Sequence, residues 1–341
     1  MSATSFSPKN LTNEPGVSYD VVGVGNALVD VIAQTDDDFL VREQLAKGSM
    51  ALIDTDRAIA LYAALDGGVE MSGGSAANTM CGIASFGGRA AYIGKVADDV
   101  LGDVFGDDMK AVGVDFRRPR GGNSVPTGRC IIAVTPDAQR TMNTFLGISS
   151  LLTPADLDEE AIAAGAILYL EGYLYDQPEA KVAFRAAAEI AHRFDRQVSL
   201  TLSDSFCVDR HRDDFRALVA DEVDILFGNE AELLSLYETD TFEFAITQLR
   251  RDCNVAAITR SELGSVVVTK DEVISVPAKP VELVLDTTGA GDLYAAGFLY
   301  GYSRGFSLEM CATLGHIASA EVISHVGPRP LVQLHTLTPA L

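Results

Sequence analysis

Basic residues are scarce in this chain. Its 26 Lys and Arg stand against 48 Asp and Glu, a formal net charge of −22 over 341 residues. Nucleic acid and anionic membrane surfaces both demand a basic face, so neither is expected as a partner. An anionic small ligand would need positive potential supplied locally, by backbone dipoles, a few Arg or Lys, or a metal ion. Apolar runs stay well short of the roughly 18 residues that span a bilayer. The five cysteines (Cys81, Cys130, Cys207, Cys253, Cys311) are odd in number and lack CxxC spacing. They read as reduced core thiols in a cytoplasmic protein rather than as a disulfide framework. The five histidines show neither HExxH nor any paired-ligand spacing, which argues against zinc. The opening "MSATSFSPKNLTNEPG" has no signal-peptide core, and residues 1–17 read as a flexible arm.

What remains is ordinary for a soluble globular chain: 48% hydrophobic and 22% charged residues. Short apolar runs alternate with amphipathic stretches. "AILYL" (166–170) precedes a helical pattern from Pro178 to Phe194, "QVSLTL" (197–202) precedes "DDFRALVA", and "VDILF" (223–227) precedes "NEAELLSLY". "VAAIT" (255–259), "SVVVT" (265–269) and a long apolar-periodic stretch from Gly289 to Val326 follow. This rhythm predicts an α/β fold with a doubly wound, mostly parallel sheet, and strands apolar throughout suit burial on both faces. Ligands in such sheets sit beyond the carboxyl ends of the strands. Residues 35–53 and 116–144 are more polar and break the rhythm, and they read either as a small β lid or as plain surface hairpins. The remaining segments, 18–34, 54–115 and 145–335, are assigned to the α/β core.

Chemistry concentrates in "LDTTGAGDLYAAGFLYG" (285–301), where a glycine loop runs through Asp292 into an apolar helix. Gly289, Ala290 and Gly291 let backbone N–H groups approach a ligand, and the unpaired amides of a helix start attract an anion. Asp292 beside them can take a proton from an attacking hydroxyl. Its ordinary pKa of about 3.9 makes it a weak base, but loose phosphoryl transfer demands orientation more than base strength. The plain alternative is an acid complementing the helix dipole, worth roughly 0.3–1 kcal/mol.

"DTTGAGDLYAAGF" resembles the C-terminal signature of the ribokinase-like (PfkB) carbohydrate and nucleoside kinases, and "GGSAANTMCGIASFGGRAAYIGKVADDVLGD" (73–103) resembles their N-terminal one. The likeness runs over roughly residues 20–330. It implies Asp292 as catalytic base, the 289–291 backbone as anion hole, a β lid over the acceptor, and ATP with Mg2+ as cofactors. It also implies that Asp30, in the N-x-x-x-D from Asn26, takes sugar hydroxyls, and that Gly73, Gly74 and Asn78 hold the acceptor. Arg140 matches an arginine on the lid that meets phosphates. Asn229-x-x-Glu232 reads locally as a capping box; by resemblance it arranges hydrated Mg2+ and phosphate. Thr259, Ser261 and Gly264 fall where relatives carry a nucleotide loop, with Ser261 in place of its first Gly. His316 falls where relatives place a side chain near adenine, although a lone His in so apolar a helix also reads as core. The "DTT" at 286–288 is where some relatives hold a monovalent cation such as K+.

"VGVGNALVD" (22–30) has Leu28 where a dinucleotide fingerprint needs its third Gly, which counts against an oxidoreductase. "VDILFGNEAE", "PTGRCIIAVT", "GHIASAEVI" and "EGY" (171–173) resemble the adenosine-kinase branch, in which Tyr173 would stack on the base. The expected partners are therefore ATP and a small acceptor, a nucleoside or alternatively a sugar such as ribose or fructose, in a monomer or homodimer. A sensor without turnover is the reading from another class, and it leaves Asp292 without a purpose.

Overall fold

The computed structural model describes residues 8–65, 67–119, 122–137 and 139–339. Among the described residues nine strands form the main sheet. In spatial order they are Val273–Val276, Ser265–Thr269, Val255–Thr259, Ile225–Asn229, Gln197–Thr201, Gly165–Glu171, Tyr19–Val24, Ala90–Ile93 and Asp115–Arg117. Neighbours run parallel except at the edge formed by the first three, where the pairing is antiparallel.

Alternate residues of each strand feed two cores. Val22, Val24, Leu168, Leu170, Val198 and Leu200 face the helices Pro178–Arg193, Ser205–Asp221 and Phe242–Asp252. Val21, Tyr92, Ile167, Tyr169, Ile225 and Phe227 face Ser75–Ser85, Val100–Ala111 and Ala290–Ser303 on the other side. Burial on both faces is why these strands lack polar alternation. The chain starts in the middle of the sheet at Tyr19–Val24 and winds outward in both directions. A crevice therefore opens between the ends of Tyr19–Val24 and Gly165–Glu171.

A second, five-stranded sheet stands over that crevice, in the order Met50–Leu52, Arg140–Phe145, Gly128–Val134, Leu28–Gln34, Val69–Gly73. It corrects the expected boundaries. Leu28–Gln34 and Val69–Gly73, expected in the core, are strands of this sheet, and Thr55–Ala64 packs on its back through Leu61 against Ile131 and Ala133. Asp115–Arg117, straddling the expected start of the second insertion, is instead an edge strand of the main sheet. The amino-terminal segment is also more ordered than expected from residue 8 on: Leu11 N donates to Ser303 O at 2.8 Å, and Leu11 and Val17 pack on the core. Residues 1–7 of that expected arm lie outside the described residues.

Candidate active site

The glycine loop meets its helix at Gly289, the N-cap of Ala290–Ser303, with φ +79°. A side chain there would be strained in conformation, and its Cβ would lie 2.6 Å from Pro328 O. The Ala290 amide turns back to Thr287 O at 3.2 Å. That corrects the expectation of three free amides: Ala290 is already bonded. The Gly291 amide has no protein acceptor among the described residues, and a Cβ at Gly291 would meet open space.

Asp292 faces a second helix tip. Its carboxylate accepts from Ser75 Oγ at 2.6 Å and from Asn78 Nδ2 at 3.1 Å. Burial raises its pKa, and these two bonds counter part of the rise. The Ser75 hydroxyl is thus spent on Asp292 and does not cap its own helix. The cap of Ser75–Ser85 is Gly74, at φ +98°, where a Cβ would lie 2.2 Å from Asn26 O.

Asp30 lies across the crevice on Leu28–Gln34, with its carboxyl directly over Gly73: a Cβ at Gly73 would sit 2.5 Å from Asp30 Cγ. Gly73 is thus the space Asp30 occupies. Burial pushes Asp30 up to about 6, Arg329 and Arg140 pull it down, and Asp292 pushes it up again. Asn26 does not reach into the crevice as expected. Its Nδ2 donates to Glu171 Oε1 at 2.9 Å and its Oδ1 accepts from Ser149 Oγ at 3.0 Å, so both amide atoms are used internally. Glu171 also accepts from Ala76 N at 2.8 Å, and burial raises it to about 7. It ties the end of one strand to the start of the Ser75 helix.

Arg140 is no solvated hairpin charge. It reaches from Arg140–Phe145 to pair with Asp286 and lies 3.5 Å from Thr288 Oγ1. Its Nε and Nη2 are buried without a partner, an arrangement that an anion's oxygens would complete. The Asp286 carboxylate is fully engaged: one oxygen accepts from Thr288 N (3.0 Å) and Oγ1 (2.7 Å), the other from Gly327 N (2.9 Å) and Arg140. This does not fit the expected monovalent-cation site, because a guanidinium already supplies the positive charge.

Tyr173 follows Glu171 in the turn Gly172–Asp176 and bonds Ser203 through both its amide (3.2 Å) and its hydroxyl (3.3 Å). Burial, then the negative charges of Asp204, Asp292, Glu232 and Glu171, raise its phenol. Asn229 and Glu232 form the predicted capping box, with Glu232 N donating to Asn229 Oδ1 (2.9 Å) and Asn229 N to Glu232 Oε2 (3.0 Å). Burial, then Asp204 and Asp292, raise Glu232 to about 7.

The loop after Val255–Thr259 lies at the same end of the sheet. Thr259 Oγ1 is 3.5 Å from Gly228 O. Ser261 holds φ +50°, a conformation glycine adopts more readily, and Gly264 holds φ +96° with Val276 O only 2.1 Å from its would-be Cβ. His316 is a correction. Its Nε2 lies 2.9 Å from Ser265 Oγ, which also accepts from Tyr294 OH (2.8 Å), and a backbone bond at Val276 engages the ring as well. Burial lowers its pKa, and it is a satisfied core histidine.

Two charged residues of the crevice escaped the sequence reading. Glu171 was visible as an acid closing an apolar strand, but its role as a tie was not. Arg329, in "GPRP", bonds Asn78 Oδ1 (3.3 Å) and Asp108 (2.9 Å), and no local signal marked it.

An anion-ready helix tip, a buried carboxylate beside it and a second carboxylate across a covered crevice define a phosphotransferase acting on an alcohol. The comparisons agree. The model of the pfkB family carbohydrate kinases matches residues 64–334. An adenosine kinase structure from Sinorhizobium meliloti is 52% identical at a TM-score of 0.86, covering 94% of this chain and 98% of its own. A probable sugar kinase protein from Rhizobium etli CFN 42 is 48% identical, with the same TM-score and coverage. The adenosine kinase of Saccharomyces cerevisiae (strain ATCC 204508 / S288c) is 27% identical over 331 residues, 90% of this chain and 96% of that one. The chain belongs to the pfkB family of carbohydrate kinases.

Proposed function

We propose that this enzyme transfers the terminal phosphoryl group of ATP to the 5′-hydroxyl of adenosine, giving AMP and ADP, in cytoplasmic purine salvage. The observation that carries the chemistry is Asp292, held by Ser75 and Asn78 at the tip of Ala290–Ser303. There it accepts the proton of the attacking hydroxyl, while the Gly289 and Gly291 backbone and the helix dipole stabilise the charge on the transferring group. Asp30 accepts hydrogen bonds from the ribose diol, and the unpaired nitrogens of Arg140 take phosphate oxygens as the second sheet excludes water. Thr259, Ser261 and Gly264 line the nucleotide side, and Gly73 and Gly74 let the acceptor's floor lie close.

The choice of a nucleoside rests on the second sheet's inner face. In register with Asp30 lie Cys130, Ile132, Val134, Ile32 and Met142, an apolar cluster suited to a purine rather than a bare sugar. Tyr173 supplies an aromatic face to the same acceptor. The name of the Rhizobium etli relative keeps a sugar kinase as the second reading.

Magnesium fits the crevice's acidic mouth. Burial, and then the negative charges of Asp204 and Asp292, raise the Glu232 carboxyl, so the mouth would favour a cation. Among the described residues no cluster of three acidic, His or Cys groups could ligate a metal directly. Glu232 and Asn229 would thus hold Mg2+ through its water shell and the phosphates, where it would neutralise phosphate charge. All five cysteines are buried and unpaired, which suits a reducing compartment. The deciding test is a panel of adenosine, other nucleosides, ribose and fructose with Mg·ATP. AMP formation with adenosine at the highest kcat/KM supports the reading, and a preference for free sugars overturns it.

A further inference from the structure

Arg329 enters the acceptor crevice from the loop that follows the helix Leu308–Val322. That loop touches three parts of the site in three successive residues. Gly327 N bonds Asp286, Pro328 packs on Gly289, and Arg329 reaches Asn78. The Arg329 side chain is only 13% exposed and is anchored by Asp108, whose carboxylate also accepts from Ser72 N at 2.8 Å.

The bonding chemistry gives Asn78 one orientation. A guanidinium only donates and an ionised carboxylate only accepts. With Arg329 Nε at its Oδ1, Asn78 must turn Nδ2 to Asp292. Without the guanidinium nothing on that side resists rotation of the amide, and Asp292 loses a fixed donor. The same positive charge faces Asp30 across the crevice.

We infer that Arg329 is a positioning residue for phosphoryl transfer, setting the Asn78 amide that aims Asp292. This rests on the kinase reading above. The charged groups facing Asp30 are Arg329, Arg140 and Asp292, with the Cys130 thiol on the adjacent strand. Arg329 lowers Asp30's pKa, so its removal should move the acid limb of kcat/KM upward in pH.

The test compares Arg329→Met and Arg329→Lys by melting temperature, by kcat and KM for adenosine and ATP, and by the pH profile of kcat/KM. R329M is expected to lose at least tenfold in kcat, with ATP KM within threefold of wild type and its acid limb at higher pH. R329K keeps the charge but not the fork, so its limb should stay while kcat falls several-fold. A folded R329M with wild-type kcat and acid limb overturns the inference, as does one that loses activity with its limb unmoved, the mark of a merely structural role. If R329M does not fold, R329K decides: unchanged kcat overturns it. Failure of the kinase reading is separate, since wild-type protein would then form no AMP from adenosine.

Discussion

Ser75 and Asp292, 217 positions apart in the chain, are joined by a hydrogen bond of 2.6 Å between the tips of two helices. The proposed base is thus oriented by a residue far away in the chain, together with Asn78. Asp292→Asn should fold, because an amide oxygen still accepts from Ser75, yet it cannot take a proton. We expect kcat to fall at least about a hundredfold, the usual reach of general-base catalysis, with adenosine affinity within a few-fold of wild type. Ser75→Ala should cost about tenfold, the equivalent of one hydrogen bond to a charged group. Stopped-time AMP assays and adenosine calorimetry check both, and near-normal turnover in D292N would remove the base role.

Asp30 gives the pH dependence its sign. Burial raises its pKa to about 6, and only the carboxylate accepts from both hydroxyls of a vicinal diol. Activity should therefore be present above that value and be lost as pH falls through it, with kcat/KM dropping about tenfold per unit on the acid side. Asp30→Asn should raise the acceptor KM at least tenfold and flatten that limb. An acid limb identical in D30N would assign the titration to another group.

Legibility followed distance along the chain. The Asn229–Glu232 box lies within one helical turn, so residue types alone displayed it. The strand Gly165–Glu171 was readable because both its faces are buried and every residue had to be apolar or small until Glu171. The second sheet was misdrawn because Leu28–Gln34 pairs with Val69–Gly73 on one side and Gly128–Val134 on the other, partners that no local pattern identifies. Asn26 and Asp30 share one motif, yet the structure turns one into an internal tie and leaves the other facing the crevice. Glu171, 145 residues from Asn26, and Ser149 separate the two roles. His316 had the sequence context of a core residue, and Ser265 and Tyr294 supply the partners that make it one.

Arg140 and Asp286 link the second sheet to the glycine loop. Because this pair leaves Asp286 no oxygen for a monovalent cation, replacing K+ by tetramethylammonium should change turnover by less than twofold. A strong K+ requirement would show that Arg140 leaves Asp286 in the working enzyme. Arg140→Met should lower kcat at least tenfold through lost phosphate contact. It also leaves a buried carboxylate without its charge partner, so a lower melting temperature is expected.

Glu232 separates two functions that one motif combines. Asn229→Ala removes the cap's side-chain acceptor and should cost about 1 kcal/mol in stability. Glu232→Gln keeps an oxygen for the Asn229 amide, so its loss of stability should be smaller. Removing the carboxylate nevertheless removes the acid that shares the crevice mouth with Asp204 and Asp292. The Mg2+ concentration for half-maximal activity should then rise several-fold in E232Q, while the adenosine KM stays within about twofold. Because burial holds Glu232 near 7, the wild-type Mg2+ requirement should also tighten between pH 6 and 8 as the carboxylate ionises, and that trend should vanish in E232Q. Unchanged Mg2+ dependence at every pH would leave Glu232 as a helix cap alone.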